Sequence, residues 1–258
     1  MSKIIDKHNY LNKSIRYIKN TKIKEWDMVD GGFSIIKRKK LLSTKEITRL
    51  EDMEKLQRHI EIGKMSIRNF GLTKGLLQGF AEFRSLFAEK NNIKSGNILS
   101  IKKDAIFLIK EKIHENTFDG IEFKLKNTYS SFMLLDKTEL YFDNKINKLT
   151  VKGINDEKVN LHKDFLLKFI TDIIRSSELT VDNSLIFSQL HAYREEYLCG
   201  QLPIEHYREF NANSKFRLNK LMENSALFID HISEEFIPLL DSQFNYIVIL
   251  RQLINNVL

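Results

Sequence analysis

The apolar pattern of this chain switches between helical and strand periods along its length, and the order of those switches decides what it can fold into. Residues 43–70 open with Ser43, Thr44 and Glu46, which suit a helix cap, and continue at helical spacing through Leu50, Met53, Leu56, Ile60 and Met65. Residues 73–91 repeat the period in a stripe of Leu76, Leu77, Phe80, Phe83 and Phe87. Strand signals then take over in NILSIKKDAIFLI at 97–109, GIEFKL at 120–125, SSFMLL at 130–135 and ELYF at 139–142. A turn, DNKINK at 143–148, leads to LTVKGI at 149–154. Beyond residue 158 only helical spacing remains, over 161–176, 184–198, 204–210, 214–231 and 233–257. Mixed elements followed by helices alone predict an α+β region, 1–158, and a helical region, 159–258. Residues 1–20, with Tyr10 and Tyr17, read as a short helix or an arm, and KIKEWDMVDGGFSII at 22–36 as a strand followed by a glycine-permitted turn. Only 2 Pro and 10 Gly occur in 258 residues, which argues against a turn-rich β-sandwich.

Charge is as unevenly spread as structure. Residues 1–150 hold 30 Lys and Arg against 19 Asp and Glu, a net of +11, whereas residues 151–258 hold 11 against 15, a net of −4. Such a one-sided field attracts polyphosphate, although a basic excess is equally compatible with an ordinary solvated surface. No run of eighteen apolar residues occurs, and the polar N-terminus has no signal-peptide core, so a cytoplasmic protein without membrane contact is expected. A single cysteine, Cys199, excludes an internal disulfide framework and reads as a small buried hydrophobe. His59, His114, His162, His191 and His206 show no metal-ligand spacing.

Two acids stand out. Asp27 sits at a strand end in the run Trp26-Asp27-Met28-Val29-Asp30-Gly31-Gly32, and Asp104 interrupts the apolar run IKKDAIFLI. A carboxylate inside a buried strand needs a compensating cation. If two strands of one sheet bring Asp27 and Asp104 together, Mg²⁺ or Mn²⁺ with oxygen ligands is the natural cofactor, and phosphoryl transfer the natural chemistry. The alternative is structural: Asp104 pairs with Lys102 or Lys103, and Asp27 only begins a turn.

In order along the chain, these landmarks resemble family B DNA polymerases. DMVDGGFSII at 27–36 is similar to the first palm motif, with Asp27 on its metal-binding aspartate and Ser34-Ile35 on its closing Ser-Ile. KMSIRNFG at 64–71 resembles the fingers motif, placing Lys64 where a lysine touches the incoming triphosphate. NILSIKKDAIF at 97–107 resembles the Tyr-Gly-Asp-Thr-Asp-Ser motif, with Asp104 on the metal-ligating second aspartate and Lys102 on the first. KNTY at 126–129 is similar to the Lys-Lys-x-Tyr motif, whose lysine, here Lys126, approaches the primer terminus. VKGI at 151–154, with Lys152, resembles the segment ahead of the thumb, and YLCGQLPIEHY at 197–207 resembles a thumb segment. The resemblance implies a palm of antiparallel sheet and packed helices over 1–158, short fingers-like helices at about 43–92, and an all-α thumb over 159–258. It also implies Asp27, Asp104 and Lys64 as catalytic residues. Nucleic acid (primer-template or single strand) is the implied partner, with room for a second polymerase or replication subunit.

Departures from that pattern carry weight of their own. Gly32 replaces the tyrosine that blocks a ribose 2′-hydroxyl, so weak sugar discrimination is expected. Lys102 and Lys103 stand beside the proposed metal site, a feature that favours a non-catalytic relative binding nucleic acid or a replication partner. The tetrad Lys37, Arg38, Lys39 and Lys40 reads as a phosphate contact or as a solvated helix start. Tyr129 suits base stacking or core packing. The Lys-, Ile- and Asn-rich composition suits an AT-rich genome such as a bacteriophage's.

Overall fold

The structure, a computed structural model, describes residues 4–153 except Arg16, Asp136 and Lys137, together with Thr171, Asp172, Ile174, Arg175, Glu178, Ser188 and Ala192. The helices expected over 159–258, the segment 197–207 and Cys199, His162, His191 and His206 all fall outside that description, apart from those few isolated positions. The chain divides into two compact units, Met1–Ile15 with Thr21–Thr128, and Arg16–Asn20 with Tyr129–Leu258.

The first unit is α+β, and its elements alternate as the apolar periods require. The strands are β1 (Asn9–Leu11), β3 (Ile23–Met28), β4 (Ile98–Lys102), β5 (Ala105–Ile109), β6 (Thr117–Phe118) and β7 (Ile121–Tyr129), in the sheet order β1-β4-β5-β3-β7-β6. β5 is antiparallel to both β3 and β4. Four helices stand between β3 and β4: α1 (Gly31–Lys39), α2 (Thr44–Glu51), α3 (Lys55–Arg68) and α4 (Phe70–Lys90). Strand alternation sends Trp26 and Met28 of β3 to the helical side, where they join a core with Ile35, Ile36, Phe83 and Phe87. Phe87 is its aromatic centre, stacked on Phe123 at 4.4 Å and tilted against Trp26 at 5.7 Å. The second unit contains β2 (Tyr17–Ile18), β8 (Ser131–Leu135), β9 (Thr138–Asp143) and β10 (Lys148–Lys152) in an antiparallel sheet of order β10-β9-β8-β2.

Several local expectations change. The segment 97–109 is not one strand but a hairpin, because Lys103 takes a left-handed conformation (φ 52°) and reverses the chain. Gly31 and Gly32 open a helix rather than a turn, since Phe33, Ile35 and Ile36 bury on a helical spacing and Asp30 (φ 48°) makes the reversal ahead of them. The 43–70 helix is two helices broken at 52–54. The expected cap is present: Ser43 Oγ accepts from the Glu46 N–H, and Glu46 accepts from the Ser43 N–H. Residues 9–11 and 17–18 are strands, not a helix. Leu77 departs from the α4 stripe at 38% exposure, whereas Leu76, Phe80, Phe83 and Phe87 are buried.

Candidate functional site

The end of β3 and the β4–β5 hairpin tip form one place in the first unit. Asp27 pairs across the sheet with Ala105, so Asp104, the residue before it, stands at the tip beside Asp27. The Met28 N–H donates to the Asp104 carbonyl at 3.3 Å. Gly31 makes this approach feasible: a Cβ there would lie 2.9 Å from Met28 Cβ, 3.2 Å from Phe80 Cε1 and 3.3 Å from Asp104 Cβ. Burial, and then the charge of Asp27, push the Asp104 carboxyl above the usual aspartate range, while Lys126 and Lys103 act against that rise.

Glu25, two residues before Asp27, shares its face of β3 and is 1% exposed. Its Oε2 accepts from Asn127 Nδ2 at 2.6 Å, and its Oε1 lies 3.8 Å from Lys126 Nζ. Lys126 Nζ itself donates to Asp27 Oδ2 at 3.0 Å. Burial alone would lower the Lys126 pKa, but its bond to Asp27, with the charges of Glu25 and Asp104, outweighs that and raises it. One ammonium thus serves three carboxylates.

The hairpin tip is anchored from below by Arg84 of α4, which is completely buried. Its guanidinium donates to the Lys103 carbonyl, to the Ile5 carbonyl at 3.2 and 3.3 Å, and to the Lys7 carbonyl at 2.9 Å. The Lys103 N–H donates in turn to the His8 carbonyl at 3.0 Å. Burial lowers the Arg84 pKa to about 10, and Asp104 and Asp6 oppose the fall. On the other side of the site, Asp30 joins α3 to the β3–α1 turn, with its two oxygens 2.7 Å from Arg58 Nη2 and 2.7 Å from His59 Nε2.

Asp27, Asp104 and Lys126 therefore come together, and the remaining candidates stand elsewhere. Lys64 is exposed on α3, and no hydrogen bond or ion pair ties it to Asp27 or Asp104 among the described residues. The tetrad closes α1 instead of opening a helix, and most of it is matched by acids. Lys37 pairs with Glu51 at 2.5 Å, Arg38 with Asp119 at 3.3 Å, and Lys39 with Glu82. Lys40 is the left-handed residue that ends α1. Tyr129 is 3% exposed and packs its ring on Tyr141 at 5.0 Å, so the ring is committed to the core of the second unit and not to a base. Lys152 ends β10 of that unit.

The bacteriophage PBS1 gene 130 protein family matches residues 1–258. This chain belongs to that family. A bacteriophage protein is what the composition suggests, and the family's description carries no activity. No curated protein matches the chain. No helix among the described residues of this phage protein is long and apolar enough to cross a membrane. Among those residues, no three His, Cys, Asp or Glu side chains are grouped as metal ligands.

Glu25, Asn127 and Arg84 were not singled out from sequence. Glu25 carried a usable signal, since it alternates in phase with Asp27 two residues on. Arg84 carried none, because an arginine within a Phe-rich helix pattern looks like any solvent-facing position.

Proposed function

We propose that this phage protein binds nucleic acid and catalyses divalent-cation-dependent nucleotidyl transfer on a palm-like sheet, in the manner of family B DNA polymerases. The observation that carries this reading is the meeting of Asp27 and Asp104. They are separated by 76 intervening residues in sequence, yet they stand at one strand end close enough for one charge to shift the other's titration. The donor set fits Mg²⁺ or Mn²⁺: hard carboxylate oxygens repel one another, and such ions are commonly held by two carboxylates with substrate phosphates completing the shell. When bound, the ions would supply charge neutralisation at the attacking and leaving oxygens. The chain's own part is to hold Asp27 and Asp104 rigidly, through the Met28 and Arg84 contacts, and to present Lys126 to a phosphate. Lys64 enters only through the resemblance.

A second reading has specific support. Lys126 already neutralises Asp27, and Lys102 stands where the resembled motif has an acid, so the fold would also suit a non-catalytic protein that binds nucleic acid or a replication partner. Extension of a primed template with Mg²⁺ or Mn²⁺ separates the two. Incorporation by the wild-type chain that Asp104→Asn abolishes supports catalysis. Equal incorporation by both rejects the site, and salt-sensitive binding with no incorporation by either favours the second reading. Among the described residues, Gly32 has only Ile62 Cγ2, at 3.9 Å, near where a Cβ would stand. We therefore expect ribonucleotides to be incorporated alongside deoxyribonucleotides in that assay, and strict rejection would contradict this.

A further inference from the structure

We propose that the outward face of α3 is a docking surface for an acidic amphipathic helix of a partner protein. Leu56, Ile60 and Ile67 are 73%, 51% and 88% exposed, and Phe70, the first residue of α4, is 82% exposed. Leu56, Ile60, Gly63 and Ile67 follow steps of four, three and four residues along α3, which on a helix is one continuous stripe, and Phe70 comes just past the break at Asn69. The opposite face of α3 is already used: Ile62 is buried, and Arg58 lies over the Phe33 ring at 4.6 Å while bonding Asp30. The stripe is therefore the face that packing within the described residues leaves open.

Gly63 and the flanking charges say what would cover it. A glycine in the interior of an exposed helix weakens that helix, and among the described residues nothing lies within 4 Å of where its Cβ would be. The result is an open notch between Ile60 and Ile67 that accepts a single apolar knob from a crossing helix. Exposed Lys64 and Arg68 border the stripe on one side and exposed Lys55 on the other, while His59 beside Lys55 is already bonded to Asp30. The three lysine and arginine side chains have no carboxylate partner among the described residues, and the nearby acid Glu61 is taken by Arg49 at 2.7 Å. Cations on both borders of an apolar stripe complement a helix whose own apolar stripe is bordered by Asp and Glu. A polynucleotide would use the cations but would leave aliphatic Leu56, Ile60 and Ile67 without a base to stack on. A lipid surface would make no use of the notch.

The test uses the full chain and a fluorescein-labelled synthetic helix with Leu at i, i+3, i+4 and i+7 and Glu on its borders, read by anisotropy. We expect binding that weakens about tenfold or more in Gly63→Leu, which fills the notch, and in Ile60→Ser/Ile67→Ser. A peptide with Lys in place of Glu should not bind. Far-UV circular dichroism checks that the variants fold, and a Cβ at Gly63 meets no described atom within 4 Å. Failure of the acidic peptide to bind overturns the proposal, as does equal binding of both peptides or indifference to Gly63→Leu. Binding of phosphatidylglycerol vesicles or single-stranded DNA that Gly63→Leu and the serine variant abolish, with no peptide binding, assigns the face to those ligands instead.

Discussion

Asp104 is held at a hairpin tip where both its burial and its neighbour Asp27 disfavour ionisation. Because its folded-state pKa lies above the unfolded one, the folded chain holds the extra proton between the two values. Stability therefore falls as pH rises through that window, and the penalty is complete above it. Asp104→Asn should accordingly raise Tm at neutral pH by about 2–4 °C, the shift that ~1 kcal/mol gives in a chain of this length. The gain should fade as pH drops below the ordinary aspartate range, which thermal melts across pH would read. Arg84 behaves oppositely. Its removal in Arg84→Met leaves the carbonyls of Ile5, Lys7 and Lys103 without their donor, and denaturant unfolding should show a loss of about 3 kcal/mol. Asp27 and Asp104, two of the three carboxylates of the candidate site, were legible in the sequence, because an acid in an apolar run has few structural excuses. Their true setting was not. Lys103's left-handed backbone turns an apparent buried strand into a hairpin, and no side-chain pattern distinguishes KKD in a strand from KKD in a turn.

Helix glycines separate two kinds of constraint at the next scale. Among the described residues nothing faces Gly63, so Gly63→Ala should stabilise by about 0.5–1 kcal/mol through helix propensity alone. Gly79 faces the core, where a Cβ would meet Ile35 Cγ2 at 2.4 Å, and Gly79→Ala should destabilise by about 1–3 kcal/mol as α1 is forced from α4. Urea titration of the pair gives opposite signs if the packing is as described. At the α2 start, the reciprocal Ser43–Glu46 cap predicts a loss of about 1 kcal/mol for Ser43→Ala. That cap was readable because its two residues carry the whole signal. The break between α2 and α3 was not, since Met53 and Leu56 keep the helical phase across it. The reversal at Asp30 that starts α1 was likewise hidden, because two glycines signal a turn more strongly than a helix.

At the level of the molecule, the α+β character of the first unit follows from the order of its apolar periods, and its chemistry from what the sheet order brings together. β3 lies between β5 and β7, so one strand's carboxylates meet the hairpin tip on one side and Lys126 on the other. The basic excess of residues 1–150 overstates the cations open to phosphate, since Lys37, Arg38 and Lys39 are matched by acids. The central claim is that Asp27 and Asp104 share a divalent cation with substrate phosphates. Titration of the full chain with Mn²⁺ and a nucleoside triphosphate, followed by electron paramagnetic resonance, tests it without requiring turnover. We predict bound Mn²⁺ in the wild-type chain and its loss in both Asp27→Asn and Asp104→Asn, whereas equal binding by all three proteins, or none by the wild type, would contradict the claim.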